Sequence, residues 1–157
     1  MSFYVVIPAR YDSSRFPGKP LIDLNGKTMI RRVYEQACLS DASDIFVATD
    51  DERIIDEVER FGGKVVKTSS AHTTGTERIF EAASTIKLPT DATIVNLQGD
   101  EPLMPPSAIN QVAGAVTSGE VPMATLKELI VDRKDIFDPN LVKVVTDQND
   151  IALYFSR

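Results

Sequence analysis

Residues 3–7, Phe-Tyr-Val-Val-Ile, form an unbroken run of β-branched and aromatic side chains. A strand with one wet face alternates apolar and polar residues; a continuous run suits a strand covered on both faces, as in a parallel sheet between helices. Pro8 ends the run, because proline brings no N–H to a ladder. The same unit recurs: residues 45–49, 64–67 and 93–97 read as core strands, and helical spacing fills the gaps between them. Strands alternating with helices four times in succession predict an α/β fold, a three-layer, mostly parallel sheet with helices on both faces. Ligands in such sheets bind beyond the carboxyl ends of the strands.

The helices carry their own signals. Thr28 is placed to cap a helix running to about residue 39, with Met29, Ile30, Val33, Ala37 and Cys38 on one face. The next, about 52–61, buries Ile54, Ile55, Val58 and Phe61 and ends at Gly62-Gly63. A third starts at Thr76-Glu77 with Ile79, Phe80, Ala83 and Ile86 as its apolar set, and a fourth follows Pro105-Pro106 with Ile109, Val112, Ala113 and Val116 inward. Residues 21–24 read as short and extended before an Asn25-Gly26 turn. Residues 123–130, 142–146 and 151–155 read as further strands, the last two joined by Asp147-Gln148-Asn149-Asp150, which is hairpin chemistry. The length of 157 residues suits a single domain, 1–157.

Directly after the first strand come Arg10, Arg15 and Lys19 against one acid, Asp12, with Ser13, Ser14 and Gly18 among them. A strand that opens into a small-residue, cationic loop is a place to hold phosphate, since backbone N–H groups and fixed cations converge there. The loop is not a Walker motif, because Gly18-Lys19 precedes Pro20 rather than Ser or Thr, and its single glycine excludes a dinucleotide fingerprint. An ordinary solvated loop is the competing reading from composition alone. The chain as a whole is acidic, 17 basic residues against 23 acidic, with a net charge of −6. That disfavours a nucleic-acid partner and points to a small anion held at one spot. Cys38, the one cysteine, permits no intrachain disulfide and reads as part of a packed helix face rather than a nucleophile. No signal peptide and no membrane-spanning run are legible, so a soluble, cytoplasmic chain with no membrane partner is expected.

Read from the residues alone, Asp50 and Asp51 are helix caps and His72 is a solvated or turn-stabilising residue. The segment Gln98-Gly99-Asp100-Glu101-Pro102 is either a simple turn or, on the same sheet edge as the cationic loop, part of a site.

Four stretches together resemble the 3-deoxy-manno-octulosonate cytidylyltransferase (CMP-Kdo synthetase) family: IPAR with Tyr11, Ser13, Arg15 and Pro17-Gly18-Lys19-Pro20-Leu21; HTTGTER from His72 to Arg78; VNLQGDEP from Val95 to Pro102; and ALYFSR from Ala152 to Arg157. The resemblance implies a Rossmann-like nucleotidyltransferase fold that joins CTP to Kdo, an acid sugar, for lipopolysaccharide synthesis. It implies that Arg10, Ser13, Arg15, Gly18 and Lys19 hold the nucleotide's phosphates, that the Thr49–Asp50 turn lies near the nucleotide, and that Thr74, Gly75 and Arg78 meet the nucleoside. Asp100 is the candidate Mg²⁺ ligand, since magnesium in such sites takes one or two carboxylates and keeps water and phosphate in its shell. With Arg10 and Lys19 it forms the expected catalytic set. Gln98 and Arg157 are similar to positions that contact the sugar, and Arg157 suits its carboxylate. Members of that family run well past position 157. The resemblance therefore implies a truncated chain whose second metal carboxylate lies elsewhere, and a homodimer in the full-length form. Two alternatives stay open: a cytidylyltransferase for another acid sugar such as sialic acid, and a nucleotide-binding fragment without activity.

Overall fold

A computed structural model describes residues 2–12, 16–119 and 121–157. They divide into two compact units, Met1–Ala124 and Thr125–Arg157. The first unit holds a four-stranded sheet of β1 (Phe3–Pro8), β2 (Asp44–Thr49), β3 (Val65–Lys67) and β4 (Thr93–Asn96), in the order β3-β2-β1-β4. Every pairing is parallel, with Val5 opposite both Ile45 and Val95. β1 is thus flanked on both sides, and Val5, Val6 and Ile7 are fully buried.

Alternation along β1 assigns the layers. Val5 and Ile7 pack in one cluster with Ile30 and Val33 of α1 (Met29–Ala37), Ile54 and Val58 of α2 (Glu52–Arg60), and Ile109 and Ala113 of α4 (Pro106–Thr117). Val6 points the other way, to Ile79 and Ala82 of α3 (Gly75–Thr85). Helices therefore cover both faces, and each such Val or Ile contributes about 1.5–3 kcal/mol by leaving water.

Several local expectations need correction. Thr28 occupies the N-cap of α1, but its hydroxyl donates to Glu57 of α2 (2.7 Å) instead of capping. Cys38 lies just past the helix end and is exposed, because the buried stripe closes at Ala37. Partial desolvation and the carboxylates of Glu35 and Asp44 push its thiol pKa up, which leaves it a poor nucleophile. α3 begins earlier than Thr76, at Gly75, because Thr74 and Glu77 form a reciprocal capping box. Its packed stripe is Ile79 and Ala82, and Phe80, expected inward, is 75% exposed. Of the stretch expected to be extended, 21–24, Leu21 closes a 3₁₀ turn (Lys19–Leu21) while Ile22 is extended and Asp23 bridges Thr28, and 123–130 form no strand among the described residues.

The expected end of α2 holds. Gly62 takes a left-handed φ of 79°, and the Gly63 N–H reaches the Val58 carbonyl (2.9 Å). The second unit contains a 3₁₀ turn, Arg133–Phe137, and the antiparallel hairpin β5 (Lys143–Thr146) and β6 (Ala152–Ser156). Asp147 closes the hairpin turn by accepting the N–H groups of Asn149 (2.8 Å) and Ile151 (2.9 Å).

Asp51 is the N-cap of α2 and accepts from the Arg53 N–H (3.0 Å). The Arg53 side chain, bound to the same carboxylate, holds its pKa below the ordinary value. A lowered folded-state pKa gives stability that is complete above the unfolded value and is lost as pH falls through the folded one. Asp51→Ala is expected to cost about 1 kcal/mol at neutral pH. Urea melts should show that difference shrinking below pH 4; an equal loss at every pH would show the cap to be uncharged in effect.

Candidate functional site

β1 is where the strand order reverses, with β2 and β3 to one side and β4 to the other. The segments leaving β1 and β4 are therefore neighbours at the carboxyl edge, where such sheets bind ligands. Gly99 makes their approach possible: a Cβ there would sit 3.1 Å from the Pro8 carbonyl oxygen. A Cβ would have to push the Pro8 carbonyl aside by a few tenths of an ångström, so glycine lets the turn after β4 seat against the end of β1 undisturbed. Across this junction Lys19 Nζ contacts Asp100 Oδ2, joining residues 81 positions apart.

Lys19 is delivered by its loop. Gly18 adopts φ 73°, donates its N–H to the Tyr11 carbonyl (2.8 Å) and leaves room for the Tyr11 ring, 3.2 Å from where a Cβ would be. The Arg53 guanidinium stacks over the π face of the Tyr11 ring, 3.1 Å from its centroid, so α2 buttresses the loop. Ser13 and Arg15 lie outside the described residues.

Asp100 and Lys19 are each partly open to solvent, 48% and 39% exposed at the side chain. Among the described residues no three acids or histidines cluster as a metal cage. One accessible carboxylate beside a lysine nevertheless fits Mg²⁺, which leaves most of its shell to water and phosphate. Partial burial and, after it, the Asp100 charge raise the Glu101 carboxyl pKa above its ordinary value. Gln98 is exposed beside them, and its amide donates to Asn96 Oδ1 (2.8 Å). A cavity of about 430 Å³ opens at the opposite edge, where Ser2, Tyr4 and Thr93 begin their strands, and none of the motif residues lines it.

The remaining candidates divide into exposed and hidden groups. Arg10 follows β1, and its guanidinium donates to the His72 carbonyl (2.6 Å), bringing the 68–74 loop to the same edge. Thr49 is fully buried; its hydroxyl accepts the Asp51 N–H (3.3 Å) and its carbonyl the Thr68 N–H (2.9 Å). Thr74 caps α3, and Gly75 packs against Pro8. Arg78, 1% exposed at the side chain, reaches Asp50 (3.0 Å) and bonds Thr68. In this geometry it offers no open guanidinium and ties the β2 turn to α3. Burial pulls its pKa down, while Asp50 pulls it up. Arg157 belongs to the second unit, where it is exposed after β6.

Three contributors had not been singled out: Tyr11, Arg53 and Glu81. Glu81 bonds the Ser69 N–H (2.8 Å) and the His72 ring, so His72 does stabilise its own loop. The Thr74-to-Glu77 capping-box spacing was readable. Glu81, one helical turn further, carried no local signal of its distant partner.

Removing one member of a buried ion pair leaves the other uncompensated and costs about 3–5 kcal/mol. Asp50 is partly solvated, so Asp50→Ala should fall near 3 kcal/mol, the lower end of that range. Asp50→Ala with Arg78→Met should recover most of the loss in urea melts. A double variant no more stable than Asp50→Ala would show that Arg78 matters for packing alone.

Comparison with known proteins agrees with this fold. The chain is 55% identical over 157 residues to a Vibrio parahaemolyticus protein named 3-deoxy-manno-octulosonate cytidylyltransferase, covering 100% of this chain and 62% of that one. A Saccharophagus degradans protein of the same name is likewise 55% identical, over 158 residues and with the same coverage. The chain thus spans less than two thirds of the length of these relatives. A solved structure of CMP:2-keto-3-deoxy-manno-octonic acid synthetase complexed with CTP superposes with a TM-score of 0.87 at 37% identity, over 99% of this chain and 64% of that one. A cytidylyltransferase from Leptospira borgpetersenii, 23% identical with a TM-score of 0.66 over 76% of this chain and 50% of that one, shares the fold. Residues 4–157 match the family described as Cytidylyltransferase, and the chain belongs to that family.

Proposed function

We propose that this chain binds CTP at the carboxyl edge of its sheet and serves Mg²⁺-dependent cytidylyl transfer to the anomeric hydroxyl of 3-deoxy-D-manno-octulosonate. The observation that carries the reading is the meeting of Lys19 and Asp100 across the β1–β4 junction. It puts a phosphate-binding cation and a candidate metal carboxylate at one point. The names of the relatives and the CTP in the neighbouring structure support the choice of substrates.

In the reaction, the sugar oxygen forms a bond to the α-phosphorus and the bond from that phosphorus to the bridging oxygen breaks. Pyrophosphate leaves with the electron pair, and the hydroxyl proton passes to solvent. Arg10, Lys19 and the loop backbone hold the triphosphate, with Ser13 and Arg15 as further contacts. Lys19 is neutralised by Asp100 in the chain alone, and an incoming triphosphate competes for its ammonium. Thr49, Asp50 and Arg78 set the turn beside the nucleoside, with Thr74 and Gly75 opening α3 against it. Gln98 and Arg157 are assigned to the sugar. Mg²⁺ held by Asp100 would supply charge screening at the phosphates. The protein's share is positioning, which can account for roughly 7–11 kcal/mol of a barrier. The same reading makes the protein a cytoplasmic homodimer that feeds lipopolysaccharide synthesis. No helix among the described residues is long and apolar enough to cross a membrane.

CTP titrated calorimetrically into the chain should bind. Lys19→Ala and Arg10→Ala should each weaken binding about tenfold, the effect of losing one partly solvated counter-charge worth about 1.4 kcal/mol. Unchanged affinity in both variants would overturn the phosphate assignment. Where pyrophosphate release is measured, it should need Kdo rather than sialic acid, fall about 10²–10³-fold in Lys19→Ala, and lose its magnesium dependence in Asp100→Asn. Near-normal magnesium response in Asp100→Asn would place the metal ligand elsewhere.

A further inference from the structure

The first two turns of α3 carry two carboxylates on one side, Glu77 and Glu81, and both reach back to the loop that precedes the helix. Glu77 Oε2 accepts the N–H groups of Thr73 (2.9 Å) and Thr74 (3.1 Å). Glu81 Oε2 accepts the Ser69 N–H (2.8 Å) and bonds Nε2 of His72. These bonds keep the Glu81 carboxyl pKa below its ordinary value, the Ser69 N–H first and His72 second. Glu77 therefore closes the helix end as an ordinary capping box, whereas Glu81 grips the far side of the loop at two points, Ser69 and His72.

What the loop does with that grip is visible at His72. Its ring is bound to Glu81 while its carbonyl accepts from the Arg10 guanidinium (2.6 Å). A continuous path runs from Glu81 through the His72 ring and backbone to Arg10, which emerges from the carboxyl end of β1. An arginine on an open loop samples many rotamers, and fixing it on binding costs about 0.5–1.5 kcal/mol. A carbonyl that holds the guanidinium beforehand removes part of that cost, provided the carbonyl is itself held.

We propose that Glu81 is a positioning residue of this site: it acts through His72 to preset the Arg10 guanidinium for a nucleotide phosphate. This rests on the nucleotide-binding reading above, in which Arg10 is a phosphate contact. Glu81 touches no ligand. Its effect on binding exists only while Arg10 is present, which separates it from a residue that merely stabilises α3.

The test is a double-mutant cycle on CTP affinity, read by calorimetry on the whole chain, together with ¹⁵N relaxation of the Arg10 Nε–H. Glu81→Ala should weaken CTP binding roughly fivefold in the parent background, less than the loss of Arg10 itself, and by less than about twofold in Arg10→Ala. Glu81→Gln, which keeps an oxygen for Ser69 and His72, should bind within about threefold of the parent. His72→Ala keeps the backbone carbonyl but loses the ring contact, and should resemble Glu81→Ala if that variant fails to fold. In the relaxation measurement, Arg10 should be ordered in the parent and in Glu81→Gln, and mobile in Glu81→Ala and His72→Ala. Equal losses of affinity with and without Arg10, or an Arg10 side chain equally ordered in all variants, would overturn the proposal. A parent chain that binds no CTP, with Arg10 still loosened by Glu81→Ala, would overturn the nucleotide reading and leave the positioning path standing.

Discussion

Burial of β1 on both faces is the constraint from which the rest follows. Val5 and Ile7 are covered by α1, α2 and α4, Val6 by α3, and each side of the strand is taken by a parallel neighbour. A strand enclosed in this way has one register, since a one-residue slip would exchange its two packed faces. The carboxyl end of β1 is consequently a fixed point. Arg10 leaves from it, Gly99 packs on its last carbonyl, and Gly75 packs on the Pro8 ring. The site is assembled around a strand end that cannot drift.

Charge at that end is arranged in two tiers. The largely buried tier, Arg78 with Thr68 and the partly solvated Asp50, binds the β2 turn and the third helix together. A pair of this kind adds little net stability over apolar packing but strongly disfavours structures in which either member is left alone. The open tier, Arg10, Lys19 and Asp100, remains accessible and exchangeable. Its Lys19–Asp100 contact is half solvated, so it contributes roughly 0–1 kcal/mol and can be broken by an incoming anion. Rigidity below and exchangeability above is the combination that electrostatic catalysis asks of a site.

Much of this was legible in the chain because the signals are local. The Phe3–Ile7 run, the four strand–helix alternations and the Gly62-Gly63 stop each depend on residues within a few positions of one another, and each reappears in the structure. The errors were at places where local and long-range preferences compete. Thr28 was free to cap its helix but met Glu57. Phe80 has the spacing of a core residue but faces out, because the stripe of α3 that packs on the sheet runs through Ile79 and Ala82. Residues 123–130 have strand composition but, among the described residues, no strand pairs with them, and composition alone does not make a ladder.

By itself, the sequence determined that this is an α/β chain with a phosphate-seeking loop after its first strand, because periodicity and loop composition are properties of neighbouring residues. Only the tertiary structure decided which charges meet. Lys19 finds Asp100 across 81 positions, and Arg10 finds the His72 carbonyl across 62. It also decided that Arg78 is hidden as a strut and that Glu81, unremarkable in the chain, stands behind Arg10. The physical reason is that a charge's partner is set by strand order and crossover. Lys19 and Asp100 become neighbours because β4 returns to the free side of β1, and Arg10 and His72 because the crossover from β3 to α3 passes the end of β1.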